Sequence, residues 1–275
     1  MSYIPLSPFD LALAALLLVI NGLISIGFRL GLERSIAIAA VRMVAQLLLV
    51  GLVLKFVFAA TSPLWTALVA LGMLAAAAYE SKSRQERPLA GWHAYALGAG
   101  PPFIAGLFAT FLAVAVIIGS EPWYAPRFLL PILGMVLGNA LSGVSLTLDA
   151  FTTGLTRERS QIEARLALGA SRFDAVSSVL QRALKTGMLP ILTTMTASGI
   201  IALPGMMTGQ ILAGTEPIEA AKYQIMILFV IAGATGLAVA GAGIGAAFML
   251  TDERHRLRLD RLAGRANTED ARRPG

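Results

Sequence analysis

The sequence predicts an all-α membrane protein, a polytopic transmembrane helical bundle of about seven spans. Hydrophobic residues make up 56% of the 275 residues and charged residues only 14%, whereas soluble domains carry about 25% charged residues. Several apolar stretches reach the roughly 20 residues that a helix needs to cross a bilayer. Because lipid cannot satisfy backbone amides, these stretches must be helical. The predicted spans are 9–28, 36–58, 63–79, 101–119, 128–149, 186–212 and 223–250.

The chain is predicted to form one transmembrane domain, 1–251, followed by a basic cytoplasmic tail, 252–275, that is partly disordered. Residues 1–10 contain no Lys or Arg, so the first span is a retained helix rather than a signal peptide. The chain has no Cys, which excludes disulfides and thiolate metal ligands. The net charge of +6 reflects basic loops on the cytoplasmic side of a membrane rather than nucleic-acid binding.

Basic residues set the orientation, because they collect in cytoplasmic loops. With seven spans, 18 of the 22 Lys and Arg residues fall on one side of the membrane. Only Arg127 and Lys222 fall on the other side, while Arg42 and Lys55 lie within the second span. This asymmetry predicts an N-terminus outside the cell and a C-terminus in the cytoplasm.

The longest cytoplasmic segment, 152–185, is predicted to contain a helix, a tight turn and a second helix that continues into the sixth span. Residues 158–168 have helical composition, and Gly169 can adopt the left-handed conformation that ends a helix. Ser171 can cap the next helix, with Asp174 three residues later in a variant of the capping box.

This segment resembles the coupling loop of ABC importer-type permeases, in which a short helix docks into a groove of the ATPase subunit. The residues that carry the resemblance are Glu163, Ala164, Arg165, Gly169, Leu189 and Pro190. The resemblance implies that the first four couple the chain to an ATPase, although Arg165 replaces the second Ala of the family motif. The alternative interpretation is an ordinary basic loop on the cytoplasmic side.

A longer resemblance, over about residues 11–250, is to the bacterial iron-export ABC permease family, which is related to plant aluminium-tolerance permeases. The segments that carry it are 203–214 (LPGMMTGQILAG), 222–226 (KYQIM), 41–46 (VRMVAQ), 54–55 (LK), 131–132 (PI), 134–135 (GM), 138–140 (GNA) and 168–170 (LGA). The resemblance implies a multi-pass permease of the bacterial inner membrane that exports iron or another metal ion. It also implies a permease homodimer with two separate ATPase subunits, which hold the ATP and Mg²⁺.

The chain itself is not predicted to be an enzyme or to bind a cofactor. It lacks the Gly-x-x-x-x-Gly-Lys-Ser/Thr loop that cradles nucleotide phosphates. Its Gly-rich run, 241–245, lies within the last span and is typical of close helix packing. The predicted spans contain no His, Cys or paired carboxylates that could form a catalytic site.

Polar and helix-breaking residues within the spans are candidates for a translocation pathway. They are Arg42, Gln46, Asn139, Pro204, Gly205, Met206, Met207 and Gln210. The sequence leaves an alternative open for each kind. The Arg can extend to the membrane interface, and the amides can bond a neighbouring helix. The thioethers of Met206 and Met207 can ligate a metal or only fill packing gaps. Pro204 and Gly205 are predicted to interrupt the sixth span and to free backbone carbonyls.

No ordinary metal site is visible in the predicted spans, and the metal ligands stay unassigned. His93 and His255 lie in cytoplasmic segments, and Glu80 and Asp149 lie at span ends. The substrate can therefore be an ion that passes transiently, a chelate or another solute. An ATP-independent secondary transporter or channel is the alternative function. The absence of a carboxylate well inside a span counts against it.

Overall fold

The computed structural model describes residues 7–60, 62–83, 93–252 and 256–262, where the regular elements are helical. The predicted all-α membrane fold is thereby confirmed. The helices are α1 (Pro8–Gly27), α2 (Glu33–Ala60), α3 (Pro63–Ser83), α4 (His93–Phe111), α5 (Pro126–Arg157), α6 (Arg159–Ala167), α7 (Arg172–Ala197), α8 (Gly205–Leu212) and α9 (Pro217–Leu250). A π-helical segment, Leu112–Ile117, continues α4, and a 3₁₀ turn spans Leu259–Arg261. The chain divides into two compact units, Met1–Ser62 and Pro63–Gly275.

Six helices in the described part of the chain are long and apolar enough to cross a membrane: α1, α2, α3, α4 with its π-helical continuation, α5 and α9. The sixth predicted span, 186–212, differs from the others. Its residues form the end of α7, a turn and the short helix α8, so no single helix covers it.

Most of the predicted insert 152–185 belongs to the two long helices on either side of it, α5 and α7. At 32 residues, α5 continues past the predicted span end at residue 149, and α7 begins well before residue 186. A helix as long as α5 measures about 48 Å, which exceeds the roughly 30 Å hydrocarbon core of a bilayer. One end of α5 therefore projects beyond the lipid. The projecting turns stay helical because they bury Phe151 and Leu155 in the same core as α6 and α7.

The first unit is a helical hairpin of α1 and α2. Ser7 and Asp10 form a capping box at the start of α1: the Ser7 hydroxyl accepts from the Asp10 N–H, and the Asp10 carboxylate accepts from the Ser7 N–H. The connection is fixed by the buried Ser25 hydroxyl, which donates to the Glu33 carboxylate and accepts from the Leu32 N–H, both at 2.9 Å. Most side chains of both helices are exposed in this unit, as expected of lipid-facing helices.

The second unit is built around α5, which packs against α7, α9 and α4. Gly143 of α5 and Gly187 of α7 face each other: a Cβ on Gly187 would lie 2.6 Å from the Gly143 carbonyl oxygen and would overlap the Thr147 hydroxyl. In the Gly-rich run of α9, a Cβ on Gly243 would lie 2.7 Å from a methyl carbon of Leu184. The predicted role of that run in close helix packing is confirmed.

The beginning of the predicted tail is folded. After α9 the chain turns back, and Thr251 forms an antiparallel bridge with Leu257. The Arg261 guanidinium donates to the Met249 carbonyl at 2.7 Å. Hydrogen bonds from Arg258 lower the pKa of the Asp260 carboxyl below its usual value. Residues 253–255 and 263–275, including the predicted disordered end, lie outside the described residues.

The orientation stays a prediction. A cytoplasmic reporter fused after residue 273 should be active, and the same reporter fused before residue 7 should not be. Activity of a periplasmic reporter at the C-terminal fusion point would contradict the proposed topology.

Candidate functional site

The helix break between α7 and α8 is the main irregular feature within the predicted spans. The predicted interruption is present, and it begins earlier than Pro204, because α7 already ends at Ala197. Gly199 has a φ of 91°, and its N–H donates to the Ala202 carbonyl at 2.9 Å. Local hydrogen bonds thus satisfy some of the backbone N–H and C=O groups of the turn. Pro204 then precedes the first residue of α8 in an extended conformation, as expected because it has no N–H to donate.

A cavity of about 230 Å³ lies where α8 meets the first turns of α5 and the start of α9. Its polar and sulfur-containing lining residues are Arg127, Met135, Met206, Gln210, Thr215 and Tyr223. Two predicted pathway residues, Met206 and Gln210, therefore line one cavity. Among the predicted pathway residues of the second unit, those absent from its described lining are Asn139, Pro204, Gly205 and Met207.

The two amide side chains of this region have different surroundings. The Asn139 amide donates to the Met135 carbonyl of its own helix at 2.9 Å, not to a neighbouring helix. In contrast, Oε1 of Gln210 is buried and has no hydrogen-bond partner. A buried acceptor without a donor is costly, so Gln210 is the amide whose environment calls for a further partner.

Five methionines pack against an apolar cluster that includes Ile132, which also lines the cavity. They are Met135, Met188, Met195, Met206 and Met226, from α5, α7, α8 and α9. Methionine is flexible and adapts to changes of shape, so this contact can repack when helices move. Among the described residues, no group of three or more His, Cys, Asp or Glu side chains could hold a metal ion.

Arg42 and Gln46 belong to the first unit. They lie one turn apart on α2, and both are exposed within that unit. Their place in the translocation pathway stays a prediction.

Asp149, predicted at a span end, lies within α5, which continues to Arg157. Its Oδ1 is buried without a hydrogen-bond partner, as is the hydroxyl of Ser145 one turn earlier. The sequence could not show this, because the apolar stretch ends near Asp149 whereas the helix does not.

The predicted coupling segment has the expected local structure. Helix α6 covers nine residues, and Gly169 follows with a φ of 90°. The Ser171 hydroxyl then accepts from the Asp174 N–H and donates to the Asp174 carboxylate at 2.6 Å, which begins α7. An ion pair between Glu158 and Arg182 links the start of α6 to α7. The predicted helix, turn and helix are confirmed.

One face of α6 is buried and the other is exposed. Ile162 and Leu166 pack into the core of the second unit. The predicted coupling residues Glu163, Ala164 and Arg165 are exposed, and Glu163 pairs with Arg159 at 2.7 Å. At the end of the helix, Leu168 is 89% exposed.

Comparison with known proteins assigns the chain to a family. Residues 8–248 match the Uncharacterised protein family (UPF0014). The chain belongs to the UPF0014 family. No solved structure matches it.

Relatives of this UPF0014 protein occur in bacteria and plants. A UPF0014 membrane protein of Synechocystis is 35% identical over 206 residues, covering 74% of this chain and 77% of the relative. The probable iron export permease protein FetB of Escherichia coli is 32% identical over 232 residues, covering 83% of this chain and 86% of FetB. The protein ALUMINUM SENSITIVE 3 of Arabidopsis thaliana is 32% identical over 222 residues, covering 80% of this chain and 79% of the relative. These matches confirm the resemblance inferred from the sequence, and the UPF0014 protein is a multi-pass membrane protein.

Among the polar and sulfur-containing cavity residues of the UPF0014 chain, the sequence missed four: Arg127, Met135, Thr215 and Tyr223. One signal was available. Arg127 is one of only two basic residues on the predicted outer side, where a charge is not explained by the positive-inside rule.

Proposed function

We propose that this chain is the membrane permease subunit of an ABC exporter for iron or another metal ion. It would act as a homodimer with two separate ATPase subunits, which bind ATP and Mg²⁺, while the chain itself catalyses no reaction. The name of the Escherichia coli relative, a probable iron export permease, supports the direction and the substrate.

The geometry of α6 is the observation that supports a partnership with an ATPase. The helix is fixed to the second unit by Ile162, which is only 2% exposed, and presents Ala164 and Leu168 outward, one turn apart. Two small or apolar side chains at this spacing form the kind of helix face that lies in a groove of a partner. The charges of Glu163 and Arg165 flank that face and can fix the orientation of docking.

The same geometry supports a route for transmitting movement. The Glu158–Arg182 ion pair and the Ser171 cap tie α6 to α7, so a force on α6 reaches α7 directly. At its other end α7 leads into the turn 198–204 and then into α8, which lines the cavity. A break between two helices can act as a hinge, because a few residues there absorb the change in backbone angles.

The proposed function is tested with the purified complex of the permease and its ATPase, reconstituted in lipid. ATPase activity should rise on addition of one or a few metal ions in a screen over several ions, and the metal should accumulate in inverted vesicles only with ATP. The proposal would be refuted if no ATPase co-purified with the permease, or if no metal ion changed the ATPase activity.

A second candidate is an ATP-independent secondary transporter, and Asp149 is the observation that favours it. A carboxylate oxygen buried without a partner inside a membrane helix is typical of proton or cation relays. The vesicle experiment separates the two functions. Transport that continues without ATPase and responds to an ion gradient would identify the secondary transporter.

A further inference from the structure

The cavity between α5, α8 and α9 has a positive electrostatic character. Arg127 is the one charged side chain among its described lining residues, and it lies in the first turn of α5. The partial positive charge of the α5 N-terminus adds to that of the guanidinium. In an adjoining cavity, Glu219 and Lys222 form an ion pair at 2.6 Å and largely neutralise each other. This charge favours an anion over a bare metal cation.

The lining also offers an acceptor that lacks a donor. Gln210 lines the cavity and its Oε1 is buried without a partner, so a turn of the amide towards the cavity would let a ligand hydroxyl donate to it. If the amide is turned round, its N–H₂ group needs an acceptor instead, which a ligand carboxylate can supply. In both orientations, a ligand that carries hydroxyl and carboxylate groups satisfies Gln210.

The space available suits a small molecule rather than a single ion. The cavity of about 230 Å³ and the adjoining one of about 200 Å³ share the lining residues Ile118 and Tyr223. Taken together, the two volumes fall within the ~300–1,000 Å³ usual for small-molecule sites. Ile118 directly follows the π-helical segment Leu112–Ile117, a distortion that is frequent at functional sites.

We propose that this cavity binds the cargo as an anionic metal chelate of the hydroxycarboxylate class, and not as a bare metal ion. The inference rests on the proposed export of a metal and names the form in which the metal is bound. A carboxylate of the chelate pairs with the Arg127 guanidinium, which can form two parallel hydrogen bonds to it. The chelate's free hydroxyl or carboxylate pairs with the Gln210 amide. The metal is held by the chelator, so the cavity needs no metal ligands of its own.

The test is binding to the full-length permease in lipid nanodiscs, with three probes: ferric citrate, citrate alone and Fe²⁺ under anaerobic conditions. Ferric citrate should bind the unchanged protein more tightly than either other probe. Arg127→Ala should weaken that binding roughly tenfold or more, because a charge-assisted bidentate contact is lost. Arg127→Lys should restore part of the affinity, and Gln210→Leu should weaken binding without a change of charge. Lys185→Ala, an exposed basic residue of α7, is the matched control and should bind normally.

Each result has one meaning for the proposal. Tight binding of ferric citrate that depends on both Arg127 and Gln210 supports it. Equal binding of citrate alone, or preferred binding of Fe²⁺ that Arg127→Ala leaves unchanged, overturns it while metal export itself stands. ATPase activity of the unchanged complex that no metal ion stimulates, in the screen over several ions, would instead refute the proposed function. Gln210→Leu and Arg127→Lys keep the test valid if Arg127→Ala fails to fold.

Discussion

Replacing Gly169 with Val is expected to abolish association with the ATPase while the permease still folds and inserts. Gly169 has a φ of 90°, a conformation that a β-branched residue adopts only with strain. No atom lies within 4 Å of an added Cβ, so the substitution acts on the backbone of the turn rather than through a clash. The turn sets the end of α6 and the exposure of Leu168 beside it. A shift of this turn should therefore displace the proposed docking face.

A matched control is available in the same unit. Gly214, between α8 and α9, has a φ of 98° and equally open surroundings. Gly214→Val imposes a similar strain far along the chain from α6, and the ATPase should co-purify with it at normal yield. For both variants, the yield of co-purified ATPase is divided by the amount of folded permease. Size-exclusion chromatography in detergent gives that amount. Normal ATPase yield with Gly169→Val would remove the assignment of α6 as the docking helix.

Replacing Gly187 with Ala is expected to produce the largest loss of stability from a single added carbon. The new Cβ would lie 2.6 Å from the Gly143 carbonyl oxygen and would overlap the Thr147 hydroxyl. A backbone oxygen cannot rotate away, so α5 and α7 must separate along the central contact of the second unit. Overpacking of this kind costs about 1–3 kcal/mol, more than the roughly 1 kcal/mol that Ala gains over Gly in a helix.

The control for this effect is Gly233 of α9, where an added Cβ meets no atom within 4 Å. Gly233→Ala should leave the stability unchanged or raise it by up to about 1 kcal/mol through helix propensity. Thermal unfolding of both variants in the same detergent gives the comparison. Equal melting temperatures for Gly187→Ala and the unchanged protein would mean that the two helices do not approach each other as closely as described.

Much of the fold could be predicted from the sequence because its signals are local. The length of an apolar stretch identifies a membrane helix without reference to any other part of the chain. Gly169 and Ser171 predicted the turn and the start of α7 in the same way, since both act within a few residues. The interruption of the sixth span followed from Pro204, which has no N–H for a helical hydrogen bond.

The ends of α5 and α7 could not be predicted, because the apolar pattern stops where the lipid stops. These helices continue in water by burying Phe151, Leu155 and Val179 against each other and against α6. For the same reason the sequence placed Asp149 at a span end, although α5 continues past it to Arg157. The decisive contacts join residues that are far apart in the chain.

The sequence by itself determined that this is an all-α membrane protein, which apolar stretches form membrane helices, that the sixth stretch is interrupted and which family the chain belongs to. Only the tertiary structure decided which residues share a cavity. Arg127 and Gln210 are separated by most of α5, α6 and α7, and the packing of α8 on α9 and of α9 on α5 brings them to one site. Helical periodicity gives the face on which a residue lies, but the crossing of helices, set here by Gly143 and Gly187, decides what that face meets.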